Sequence, residues 1–146
     1  MPIDTSGKWW TGSTPEDIAE YLHALSADSY PATEFRLSSC KCGGVTFSLE
    51  VDQDEGVAKR ICAACGSEHL VCDSAENYEP GAKLKKFKCV CKATLANVGV
   101  GFCLYEQANA VRWLWVGHRC VKCGVLGSMV EWKVGYEPSL HLLNET

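Results

Sequence analysis

The sequence predicts an α+β protein, mostly β: an N-terminal helix followed by two duplicated antiparallel units, each pinned by four cysteines. Three observations lead there. An apolar spacing of helical period ends near residue 34, strict alternation of apolar and polar residues replaces it, and eight of ten cysteines recur as close pairs in the same order in each half. With 146 residues, 47% of them hydrophobic, the chain can bury a core as one ordinary domain or two very small ones.

The helical segment is expected within 1–34. Ser13 or Thr14 reads as its N-cap, Pro15 as the first helical position, and Glu16 and Asp17 as an acidic first turn. Ile18, Leu22 and Leu25, with Tyr21 beside them, form one apolar stripe, onto which Trp9 and Trp10 are placed to pack.

A first unit is expected over 35–80. Val45, Phe47, Leu49 and Val51 alternate with polar residues, a turn falls at 52–56, and a second strand runs over 57–61. The run Cys62-Ala63-Ala64-Cys65-Gly66 follows, then a short strand near 67–72 and a linker over 73–83 containing Asn77, Pro80 and Gly81. The second unit, 81–146 with a C-terminal tail, repeats this order. Cys89-Val90-Cys91 opens it, long strands span 94–105 and 111–118 around a turn at 106–110, Cys120-Val121-Lys122-Cys123-Gly124 follows, and a third strand covers 125–135. Tyr78-Glu79-Pro80 and Tyr136-Glu137-Pro138 stand at the same offset from Cys65 and Cys123, and Arg60 and Arg119 just precede the two CxxCG runs. These matches indicate duplication and make each quartet internal to its own half.

The quartets are Cys40, Cys42, Cys62 and Cys65, and Cys89, Cys91, Cys120 and Cys123. Paired cysteines on tight turns supply two soft ligands each with little further ordering of the chain, which suits tetrahedral zinc at two ions per chain; iron is the minor alternative. Gly43, Gly66 and Gly124 permit the positive φ that such turns use. Four thiolates leave no position open for water, so both sites read as structural, with no catalytic residue assigned. Disulfides among the ten cysteines are a lesser alternative to metal, and a metal-dependent thiol enzyme ranks behind the non-catalytic readings; a redox dithiol needs a βαβ context that neither CxxC has.

This arrangement resembles the zinc-ribbon class, over roughly 38–72 and 87–135. Ser39-Cys40-Lys41-Cys42-Gly43-Gly44-Val45 with a distant CxxCG also resembles the glutathione-dependent formaldehyde-activating enzymes and the related fold of small zinc-containing Rab-binding proteins. In the enzyme family a further cysteine cluster between the CxC and the late CxxC holds the catalytic metal. No cysteine lies between Cys42 and Cys62, and only Cys103 between Cys91 and Cys120, so the resemblance implies the fold without that activity.

Cys72 and Cys103 fall outside the quartets and read as core thiols; His69 and His118, close to CxxC runs, read as neighbours of the sites or surface residues. No run approaches the ~18 apolar residues of a membrane span, and the first residues lack an apolar signal core, so a cytoplasmic location with reduced thiols is expected. Eighteen acidic against fourteen basic residues give a formal charge of −4, which argues against wholesale binding of a polyanion. The expected partner is another protein. Nucleic acid is the alternative, through Lys83, Lys85, Lys86 and Lys88 with Trp113 and Trp115, although two tryptophans on one face of an alternating strand read first as core.

Overall fold

The structure is a computed structural model, and it describes residues 3–53, 56–72, 74, 78, 84–105, 110–134 and 139–146. The linker, both Tyr-Glu-Pro tripeptides, the turn near 106–110 and Lys83 therefore lie wholly or largely outside the described residues. Among the described residues the helix α1 (Asp17–Ser26) precedes eight strands: β1 (Glu34–Leu37), β2 (Phe47–Asp52), β3 (Val57–Cys62), β4 (Glu68–Leu70), β5 (Lys85–Lys86), β6 (Ala96–Leu104), β7 (Val111–Cys120) and β8 (Leu126–Lys133). A 3₁₀ turn, Leu140–Asn144, closes the chain. Among the described residues no helix is long and apolar enough to cross a membrane.

Strands from both halves form one antiparallel sheet, ordered β4-β3-β2-β6-β7-β8, with β1 paired to β6 and β5 to β2. The halves meet where Phe47 pairs with Ala96. Phe47 also faces Cys62, and Ala96 faces Cys120, so each stands opposite the last residue of its own hairpin.

The helix starts differently from the sequence expectation. Neither the Ser13 nor the Thr14 side chain caps it. Instead the Asp17 carboxylate reaches back and accepts the backbone N–H groups of Ser13 and Thr14, at 2.8 and 3.1 Å. This is the returning arm of a capping box, in which an acidic side chain satisfies amides that the first turn cannot pair. Burial opposes ionisation of Asp17, but the Thr14 and Ser13 amides outweigh it and hold its carboxyl below the usual range.

Ile18 and Leu22 are fully buried, while Leu25 is 45% exposed. Its expected place inward is taken by Ser26, whose hydroxyl donates to the Leu22 carbonyl and accepts the Ala32 N–H, turning the chain toward β1. Trp10 packs edge-on against Tyr21, whereas Trp9 stands out into solvent.

What lets a helix lie so close to a sheet is a floor of glycine. Gly99 and Gly117 are directly paired across β6 and β7, and Gly101 follows on the same face. A Cβ on Gly117 would meet Ile18 Cγ2 at 2.8 Å, one on Gly99 the Phe35 ring at 2.5 Å, and one on Gly101 Ala32 Cβ at 2.9 Å. Trp115 completes this smaller core with Ile18, Leu22, Ala32 and Leu126. The opposite face of the same strands, Val98, Val100, Phe102, Leu114 and Val116, joins Phe47, Leu49 and Val51 in the main core. Full burial of each of these side chains contributes about 2 kcal/mol.

Gly117→Ala is expected to lower unfolding free energy by about 1–3 kcal/mol through overpacking against Ile18 and Leu22. A urea melt that leaves the midpoint unchanged would count against this close approach.

Candidate metal centres

Each quartet sits at the open end of a hairpin, where the chain enters through a CxC turn and leaves through a CxxC turn. Cys62 ends β3 and Cys120 ends β7. The local hydrogen bonds match between the two sites. In the CxC turns, Gly43 N–H donates to Cys40 O and Cys40 N–H to Gly44 O, as Lys92 N–H donates to Cys89 O and Cys89 N–H to Ala93 O, all at 2.8 Å. In the CxxC turns, Gly66 N–H donates to Cys62 O and Gly124 N–H to Cys120 O, both at 2.9 Å. Gly43, Gly66 and Gly124 take φ of +90°, +78° and +80°, as the turn chemistry requires. The fourth such position is Lys92, at φ +74°, where a side chain adopts the left-handed region.

The sulfurs of each quartet lie within 4.8 Å of one another. Cys40 and Cys65 are 3.5 Å apart and Cys42 and Cys62 3.6 Å; in the second site Cys89 and Cys123 are 3.4 Å apart and Cys91 and Cys120 3.6 Å. A disulfide needs about 2.05 Å. A tetrahedron with metal–sulfur bonds near 2.3 Å has edges of about 3.8 Å, close to these separations. The donor set fits a soft, tetrahedral metal ion. All ten cysteines are free thiols, and the eight of the quartets pair within each half and not across the halves.

Amides at equal offsets point at the sulfurs: Ala64 and Cys65 toward Cys62, Lys122 and Cys123 toward Cys120, Ser67 toward Cys65 and Val125 toward Cys123. Such donors stabilise thiolate and temper the charge that four of them bring to a metal. The Ser67 hydroxyl and amide hold Cys65 down to about 6. At Cys42 the Gly44 amide favours the thiolate, but the three sulfurs around it push the group up to about 12. Burial works against ionising Cys120, yet the Cys123 and Lys122 amides bring it to about 7, while burial foremost pushes Cys89 up to about 12. Within each set one thiol ionises readily and another resists, because four adjacent anions repel. A dication relieves that repulsion.

Two buried or half-buried arginines tie the sites to the fold. Arg60 Nε donates to the Thr146 carbonyl at 2.9 Å, its guanidinium lies 4.7 Å from the Phe47 ring, and burial lowers its pKa from the usual value, with the sulfurs of Cys40 and Cys62 offsetting part of that. Arg119 Nε donates to the Gly12 carbonyl at 2.7 Å and Nη1 to Asn97 Oδ1 at 3.1 Å. Asn97, buried on β6, in turn donates to the Val45 carbonyl at 2.9 Å. Val45, beside the first site, is thereby joined to Arg119, beside the second. Nothing in the local pattern around Asn97 signalled this role; its only sequence cue is a polar residue inside an apolar run.

The other candidates fall outside the quartets. His69 Nε2 bonds the Glu145 carbonyl at 2.7 Å. His118 is buried on β7 with its ring 4.6 Å from Phe87, and burial lowers it to about 4. Cys72 is buried, and its thiol reaches the Leu142 carbonyl at 3.5 Å; Cys103 is only half-buried, a correction to its reading as a core thiol. Trp115 is buried and donates to the Tyr30 carbonyl, and Trp113 stacks on Tyr30 at 4.8 Å. Lys85, Lys86 and Lys88 are exposed.

No family model matches this chain, and neither a curated protein nor a solved structure matches it.

Lys92→Gly is expected to raise stability by about 1 kcal/mol, because a left-handed residue with a Cβ carries roughly that strain. A thermal melt showing a lower midpoint would contradict the turn geometry assigned to the second site.

Proposed function

We propose that the chain is a zinc protein whose two metals are structural and whose sheet serves as a rigid surface for another protein. The observation that carries this reading is the donor set: four cysteine sulfurs within 4.8 Å of one another, twice, with the first cysteine of every pair buried. Four thiolates complete a tetrahedron and leave no coordination position for a substrate or an activated water, so the metals staple rather than catalyse. Zinc is favoured over iron because all-cysteine structural sites are its commonest protein role, although the geometry suits both. Free thiols throughout fit a reducing compartment such as the cytoplasm.

The matched turns, the equal amide offsets and the pairing of Phe47 with Ala96 support origin by internal duplication. A protein partner is favoured over nucleic acid because Trp113 and Trp115 are engaged by Tyr30 and the core, which leaves the exposed lysines without those rings as a stacking platform. With both sites filled, each quartet adds a net −2, taking the formal charge from −4 to −8.

Purified protein is expected to carry two zinc ions per chain, with the eight quartet thiols unreactive until chelation or denaturation. Cys62→Ser is expected to lose one zinc and Cys120→Ser the other, each with a lowered melting temperature, whereas Cys103→Ser keeps both. Metal analysis finding one ion per chain, or mass spectrometry finding disulfides among the eight, would overturn the reading.

A further inference from the structure

Among the described residues β8 ends the path of strands and its one strand partner is β7, so its other edge has no strand beside it. The N-terminal segment covers the start of that edge: Thr11 bridges Val125, and the Leu126 N–H donates to the Trp10 carbonyl at 2.8 Å. The chain then leaves it, and Trp9 is 49% exposed. Three residues on, the Met129 carbonyl takes the side-chain amide of Gln53 at 2.5 Å, a place where a neighbouring strand would ordinarily present a backbone N–H. The edge thus accepts hydrogen bonds from whatever extended or amide-bearing group lies beside it.

Across from this edge stands β5, paired among the described residues through Lys85 and Lys86 to β2 alone. Between β5 and β8 lies a cleft of about 400 Å³, with Trp9, Gly127 and Met129 on its walls. A second depression of about 370 Å³ shares Tyr21, Ser128 and Met129 with it, so the groove follows β8 as far as Glu131. Beyond the part that Thr11 and Trp10 cover, five residues of edge, Gly127 to Glu131, at about 3.3 Å each make a track roughly 16 Å long, along which an incoming strand would replace the Gln53 amide at Met129.

Charge identifies the occupant. The chain is acidic overall, yet among the described residues the cleft is lined by Lys85, Lys86 and Lys88 and by no carboxylate; Cys89 of the second quartet also lines it, and against the net −2 of that site when filled the three lysines leave a positive excess. Among the described residues none of the three lysines forms a salt bridge. Glu131 stands at the far end of the groove, so the preference for negative charge belongs to the end nearer β5. Nucleic acid would meet the same lysines, but a free strand edge offers backbone pairing that only a polypeptide returns.

We propose that this cleft docks an extended acidic segment of a partner protein, which adds as a strand to β8 and sets its carboxylates against Lys85, Lys86 and Lys88. The proposal rests on the reading of the chain as a structural-metal interaction protein and supplies the class of partner. Pairing along β8 gives affinity, and the lysines select for charge and speed encounter.

The test uses the full-length, zinc-loaded protein and fluorescein-labelled ten-residue peptides of equal apolar content, carrying either four glutamates or four lysines, with labelled oligothymidylate of similar length alongside. Anisotropy is expected to show the glutamate peptide bound at least about tenfold tighter than the lysine peptide, a difference of about 1.4 kcal/mol. Lys85→Glu with Lys86→Glu should weaken it by about tenfold or more, Lys88→Glu should act in the same direction, and Arg36→Glu, on β1 and outside the groove, should leave it unchanged. N-methylation of alternate peptide amides should abolish binding in one register and spare it in the other, which a simple polyanion effect does not produce.

Equal binding of the two peptides, insensitivity to the lysine reversals or to N-methylation, or tighter binding of oligothymidylate would each overturn the docking site. Zinc content is read on the same samples. Two zinc ions with no peptide binding removes the docking site and leaves the structural-metal reading standing, while fewer than two removes that reading itself.

Discussion

Four sulfurs held within 4.8 Å of one another cannot all be anions without a cation among them. Everything distinctive about this fold follows from meeting that constraint twice. A CxC turn and a CxxC turn are brought together only when the hairpin between them is in register, so the metal sites and the β2–β3 and β6–β7 pairings specify one another. Phe47 opposite Cys62 and Ala96 opposite Cys120 are the last rungs before the sulfurs. A metal held at that point would close the end of the hairpin that no turn closes. A two-stranded hairpin alone is marginal in water, and coupling metal affinity to folding is one way small β units become stable.

The two hairpins share the main core, where Phe47, Leu49 and Val51 pack with Val98, Val100, Phe102, Leu114 and Val116. Among the described residues their polar connections across the sheet are few: the rung Phe47 with Ala96, and the buried Asn97 between Val45 and Arg119. Around this seam the rest of the chain wraps. Helix α1 lies on the glycine floor of β6 and β7, and the last residues return to the first half, where Glu145 meets Cys72 and His69 and Thr146 meets Arg60 and Ser38. The C-terminal tail thus reaches the first half as well as the second, where the Val111 N–H donates to the Ser139 hydroxyl at 2.7 Å.

Legibility in the sequence followed the range of the interaction. Paired cysteines, alternation along β2 and the long strands of the second half are local patterns, and the grouping of cysteines within each half came from their repeated order together with the Tyr-Glu-Pro tripeptides at the same offset from Cys65 and Cys123. The strands β1 and β5, four and two residues long, are too short to show a period and exist because β6 and β2 offer them an edge. Leu25 misled because spacing alone puts it on the buried stripe, whereas the turn after α1 needs the Ser26 hydroxyl inside. Gly99, Gly101 and Gly117 look like weaknesses in a strand until the helix is laid across them. Lys92 hid a left-handed turn because the glycine that marks its counterpart, Gly43, is absent.

The central claim is that each quartet binds its metal through sulfur alone, and that this closed ligation holds the two hairpins. X-ray absorption at the zinc edge on the purified protein tests it most directly. The account predicts four sulfur neighbours per zinc at about 2.3 Å and no lighter atom in the first coordination sphere. A nitrogen or oxygen neighbour near 2.0–2.1 Å would mean an open or mixed site and would contradict it.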